Sequence, residues 1–126
     1  MVASGPRRYD VRAVSSGTFG RVLCSARQQH FVIDGPVQNG CPGEALTPPE
    51  SFLAGVAACG VELIEVFARR DGVPLQGVDV TITATLDRSR PVRTDVTVLN
   101  TFAMDLRLDG PSDEQGEKLV AEFKKT

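Results

Sequence analysis

Few residues in this chain have the capacity for chemistry. It holds three cysteines (Cys24, Cys41 and Cys59) and one histidine, His30. An odd, widely spaced set of cysteines is a poor disulfide framework, and no CxxC pair occurs. The three thiols and His30 could just make up the four ligands of a structural zinc site. Their spacing fits no common zinc pattern, so no metal and no cofactor is expected. Cys59 is the most informative of the four. It lies in TPPESFLAGVAACGVELIEVFARR, residues 47–70, between the small residues Ala57, Ala58 and Gly60. A cysteine on an apolar helix face is usually a small inert hydrophobe. A reactive one needs a cation beside it. The helix dipole cannot supply that charge, because Cys59 lies three turns past the N-cap and the dipole acts mainly within the first turn. Small neighbours would let a substrate or another backbone approach closely. A tight helix crossing has the same need.

The elements that must position this thiol follow from periodicity. Residues 9–14 (YDVRAV) read as a first strand, with a turn at Gly17 and Gly20. In RVLCSAR, Val22, Cys24 and Ala26 alternate with mostly polar residues, a half-buried strand pattern. Residues 29–34 (QHFVID) form a third strand and stop at Asp34-Gly35-Pro36, a turn signal. The three are expected to form an antiparallel meander. Residues 35–46 read as a loop. A helix then opens at Thr47, where Thr47 and Glu50 have capping-box spacing and Pro48 fits the first helical position. Two adjoining apolar rows run along it, Phe52, Val56, Cys59, Leu63 and Phe67 beside Leu53, Ala57, Gly60, Ile64 and Ala68. Such a wide stripe predicts a largely buried helix. Asp71-Gly72 ends it. A clear strand follows over residues 78–87, with apolar and Thr-rich faces. Another is expected over residues 94–110, broken near Asn100. Ser112 and Gln115 make a second capping box before a short helix from Asp113 onward. Strands, helix, strands, helix define an α+β class with antiparallel sheet.

Composition narrows the function classes. The 126 residues suit one domain. Net charge is −2 with scattered Lys and Arg, so no nucleic-acid surface is expected. No apolar run approaches the ~18 residues of a membrane span, and MVASGPRRYDVRAV lacks the apolar segment of a secretory signal. The expected location is cytoplasmic.

The segments HFVIDGP and TPPESFLAGVAACGVELIEVFARRDGVPLQGVDVTI, with the glycine-containing loop between them, resemble the OsmC/Ohr family of osmotically inducible and organic hydroperoxide resistance proteins. The resemblance runs from about His30 to Ile82. It rests on the matched spacing of helix start, cysteine and exit turn, and the second helix after Gly110-Pro111 is also similar. It implies an intertwined homodimer in which two long central helices are buried between antiparallel sheets, with reactive sites at the interface. The implied activity is reduction of organic hydroperoxides, with an external thiol as reductant and a role in oxidative-stress defence.

On that resemblance Cys59 falls at the peroxide-attacking cysteine, which becomes a sulfenic acid. An arginine from the early strands stabilises the thiolate and the leaving oxygen. Arg21 is the first candidate by its distance before His30, and Arg27 the second. A glutamate near the helix start orients that arginine in Ohr members. Here Pro49 occupies the Ohr-like position, and Glu50, one residue nearer Cys59, either takes that role or only completes its capping box. The family's resolving cysteine follows the second helix, whereas this sequence has none after Cys59. The domain, residues 1–126, therefore reads as lacking the family's C-terminal end. Turnover would then use Cys41, Cys24 or an external thiol. His30 matches a residue common in OsmC-like sequences and reads as structural. The alternative is a redox-inactive OsmC-like protein that binds a small apolar ligand in the dimer groove, with Cys59 only lining it.

Overall fold

A computed structural model describes residues 5–126; residues 1–4, the start of the stretch read above for a secretory signal, lie outside it. The chain divides into two compact units, Met1–Phe52 and Leu53–Thr126.

The first unit is the expected meander. Strands β1 (Arg12–Ser15), β2 (Arg21–Ala26) and β3 (Gln29–Asp34) pair antiparallel in the order β1-β2-β3. β1 starts three residues later than its pattern suggests. Its register sets Arg12 opposite Ser25, so Asp10 and Tyr9 would face turn residues rather than a strand. The β2 run likewise ends at Ala26. Arg27 and Gln28 form a two-residue turn with Arg27 at φ 56, the left-handed conformation that tight hairpins demand. Cys24 is buried on the face it shares with the half-buried Val22 and Ala26, as the alternation predicts. The loop after β3 is closed at its ends. Asp34 N–H donates to Leu46 O at 3.0 Å, and Gly35 N–H donates to Gly20 O at 2.8 Å. In its middle lies a single 3-10 turn, Val37–Asn39.

Helix α1 (Pro48–Asp71) begins at the end of the first unit and runs through the second. Strands β4 (Gly77–Thr85) and β5 (Thr101–Asp109) pair antiparallel, and α2 (Asp113–Lys125) follows. Val78, Val80, Ile82 and Ala84 share the half-buried face of β4, and their Asp and Thr neighbours are exposed. The core of this unit is Ile64, Ala68 and Leu119. Of the two apolar rows on α1, the one containing Gly60, Ile64 and Ala68 is buried in the chain itself, while Phe52 on the other row is 59% exposed.

β5 starts only at Thr101, because Asn100 closes the preceding loop. Its N–H donates to Thr85 O, its Oδ1 accepts from Asp87 N–H, and its Nδ2 donates to Arg90 O, each at 2.7 Å. By length and composition α1 could cross a membrane, contrary to the expectation that no segment could; its Ile64 and Ala68 also belong to the core of this unit.

Candidate functional site

Arg21 is the first residue of β2 and Asp34 the last of β3, and the hairpin register sets them directly opposite. That placement lets the planar guanidinium meet the carboxylate through two parallel bonds, Nε to Oδ1 at 2.8 Å and Nη2 to Oδ2 at 2.9 Å. Nη2 also donates to Glu44 Oε1 at 2.8 Å. Asp34 Oδ2 accepts two more bonds, from the backbone N–H of Glu44 at 3.0 Å and of Ala45 at 2.9 Å. The Asp34 side chain is fully buried, that of Arg21 is 30% exposed and that of Glu44 is 77% exposed. The Arg21 hydrogen bond, aided by the two N–H groups, holds the Asp34 carboxyl well below the usual range, against the opposing effect of burial. Bonds to Asp34 and then to Glu44 hold the Arg21 guanidinium still more firmly protonated.

Arg21 borders an open groove of about 530 Å³ along the β1–β2 turn, where Val14 and Phe19 present exposed apolar surface. Cys41 lies against Gly20 and Gly35. A side chain at Gly35 would bring its Cβ within 2.5 Å of Cys41 Sγ, so only glycine fits beneath this thiol.

Glu50 is engaged locally. Its Oε1 accepts from Thr47 N–H at 3.0 Å and from Thr47 Oγ1 at 2.8 Å. The N–H bond first, and the hydroxyl second, lower its pKa. Arg21 and Glu50 therefore hold different partners. The carboxylates on Arg21 are Asp34 and Glu44, which in the sequence look like a turn signal and a loop residue. The signal that could have found Asp34 is arithmetic. A two-residue turn at 27–28 pairs positions whose numbers sum to 55, and 21 and 34 do. Arg27 is exposed in the turn itself, and His30 is exposed on β3 opposite Ser25.

In the second unit Cys59 is a free, exposed thiol on α1. Its small neighbours divide the two purposes left open by the sequence. Gly60 faces the interior, where an added Cβ would lie 3.3 Å from Phe123 Cζ and 3.7 Å from Met104 Cε. Ala58 and Cys59 are exposed. Glycine here serves close packing against α2, while the thiol stands in the open. Among the described residues no three His, Cys, Asp or Glu side chains converge as metal ligands.

A three-stranded meander, a two-stranded sheet, a long helix and a shorter C-terminal helix define a small α+β protein with antiparallel sheets. The chain belongs to the OsmC-like protein family, whose model matches residues 41–126. That match leaves Arg21 and Asp34 outside its span. Comparison with curated proteins finds no match. Among solved structures, the fold is similar to an OsmC-like protein from Mycoplasma pneumoniae (TM-score 0.80, 17% identity, covering 94% of this chain and 82% of that one). It is also similar to an organic hydroperoxide resistance protein OsmC from Legionella pneumophila (TM-score 0.74, 22% identity, 97% and 85% covered). A third likeness is the organic hydroperoxide resistance protein OhrB of Bacillus subtilis (TM-score 0.62, 17% identity, 94% and 84% covered).

Proposed function

We propose that this chain reduces organic hydroperoxides through Cys59. The observation that carries the reading is the open, unpaired Cys59 thiol on the central helix of an OsmC-like fold. The Cys59 thiolate attacks one peroxide oxygen, the O–O bond breaks, and its electron pair leaves with the alkoxide, which takes a proton to become the alcohol. The sulfur is oxidised to a sulfenic acid. An external thiol then condenses with the sulfenic acid, releasing water and forming a mixed disulfide, and a second thiol releases Cys59. Arg21 supplies fixed positive charge for the thiolate and the departing oxygen, and the apolar groove beside it suits a substrate with a hydrocarbon tail. Glu50 acts as a helix cap in this scheme.

The functional unit is a homodimer in which residues 1–126 act as one domain. The exposed Phe52 and Val66 on α1 support this, because apolar side chains left in the open on a helix suit a partner. The three free cysteines suit a reducing, cytoplasmic location.

The test is stopped-flow consumption of cumene hydroperoxide by the reduced protein and by Cys59→Ser, with light scattering on both. The expected result is rapid single-turnover oxidation in the wild type, none in the variant, and a folded dimer in each. Activity retained by Cys59→Ser would overturn the assignment. A slow wild-type thiol would favour the ligand-binding reading, and a monomer would remove the interface.

A further inference from the structure

We infer that Asp34 is the positioning residue for Arg21, with Glu44 as a second, looser arm, and that the helix-start carboxylate of Glu50 does not orient this arginine. The inference rests on the proposed function for its catalytic meaning, but its geometry stands separately.

Three features fix the guanidinium, and a fourth keeps Glu50 from it. Arg21 and Asp34 are register partners at the open end of the β2–β3 hairpin, so strand pairing holds their backbones opposite one another. The contact is bidentate, at 2.8 and 2.9 Å, which sets the plane of the guanidinium as well as its distance. Asp34 itself cannot turn away. Its Oδ2 accepts the N–H groups of both Glu44 and Ala45, so rotating the carboxylate would strip the loop of two bonds and bury an unpaired charge. Finally, Glu50 spends its carboxylate on the N–H and the hydroxyl of Thr47.

The arrangement leaves work for the arginine. Its bonds to Asp34 and Glu44 use Nε and Nη2; among the described residues Nη1 takes none. An arginine held along one edge and open along the other, beside an apolar groove, is set to receive an oxygen of a bound substrate. Its place does not depend on the substrate's arrival. Preorganised charge of this kind needs no rearrangement at the moment of reaction.

The experiment uses the full chain and two readouts. The first is the Arg21 Nε–Hε resonance in a 15N-labelled protein, assigned by its loss in Arg21→Lys. The second is the single-turnover rate of Cys59 with cumene hydroperoxide. The wild type should give a slowly exchanging Hε signal. Asp34→Asn should abolish that protection and lower the rate by about 10- to 100-fold, the usual effect of a small misplacement of a catalytic group. Glu44→Gln should do both to a lesser degree with the signal still present, and it decides the matter if Asp34→Asn fails to fold. Asp71→Asn, which breaks the comparable exposed pair with Arg70, should change neither. A Glu50→Gln variant that displaces the Arg21 signal, or an Asp34→Asn variant that leaves it in place, overturns the inference. If the wild type consumes no hydroperoxide, the proposed function falls, and the Hε signal still decides whether Asp34 positions Arg21.

Discussion

Gly60 offers a perturbation whose outcome can be worked from the structure. Replacing it by alanine sets two effects against each other. In a helix interior alanine is favoured over glycine by about 1 kcal/mol. The new methyl, however, would sit 3.3 Å from Phe123 Cζ and 3.6 Å from Cε2, where carbon pairs prefer about 3.5–4.0 Å. Phe123 must therefore yield by a few tenths of an ångström. It lies in the last turn of α2, which ends at Lys125, so it can yield at modest cost, and the net change should fall within about 0.5 kcal/mol of zero. Valine adds two more carbons with no room for them, and overpacking of this kind costs about 1–3 kcal/mol. Gly116 in α2 is the reference. A Cβ there would meet nothing within 4 Å, so Gly116→Ala should show the full gain of about 1 kcal/mol. The expected order is Gly116→Ala, then wild type with Gly60→Ala, then Gly60→Val. Urea unfolding followed by circular dichroism, at one protein concentration so that any dimer linkage is held fixed, measures it. If Gly60→Ala stabilises as much as Gly116→Ala, or if valine is tolerated, Gly60 is not packed beneath Phe123 and the account of its smallness is wrong.

Other consequences can be checked alongside. Ser112 accepts from Gln115 N–H in a complete capping box, so Ser112→Ala should lower stability by about 1 kcal/mol; an unchanged urea midpoint would contradict the cap. The pH dependence of the Asp34 contribution has a definite sign. Its folded pKa is depressed by Arg21, so its stabilisation is complete above the ordinary carboxyl pKa of about 3.9 and drains as pH falls from there through the native value. The stability gap between wild type and Asp34→Asn should thus be wide at neutral pH and shrink in strong acid; a gap independent of pH would rule out the charged pair.

What the sequence made legible depended on the range of the interaction. The hairpin meander, the Thr-faced strand at Val78–Ala84 and the two helix starts depend on spacing within a few residues, and the structure has them. Strand ends were harder to read because they depend on partners. β1 begins at Arg12 because the turn at Arg27 leaves Asp10 and Tyr9 facing no strand. β5 waits for Thr101 because Asn100 bonds to three distant backbone groups. The site divided the same way. Cys59 and Arg21 could be picked out by residue type and by resemblance. Asp34 could not, since an aspartate before Gly-Pro looks like turn chemistry until the register of β2 and β3 is known. Glu50 was visible twice over, as cap and as candidate orienter, and the bonds to Thr47 give it the first of these roles.

The ties on the loop after β3 have a consequence for how this molecule can vary. Gly35 N–H is fixed to Gly20 O, Asp34 takes the amides of Glu44 and Ala45, and Cys41 rests on two glycines. The exposed middle, Gln38 to Gly40, bonds within its own turn, Asn39 N–H to Pro36 O at 3.0 Å and Gly40 N–H to Val37 O at 2.9 Å. Residues inserted there lengthen a chain segment whose ends are already clamped, and each doubling of such a loop costs only about 0.6 kcal/mol in closure entropy. The guanidinium would not move. The clamp thus separates two properties that would otherwise change together, the reach of the loop and the location of the positive charge, and leaves the first open to change while the second is kept.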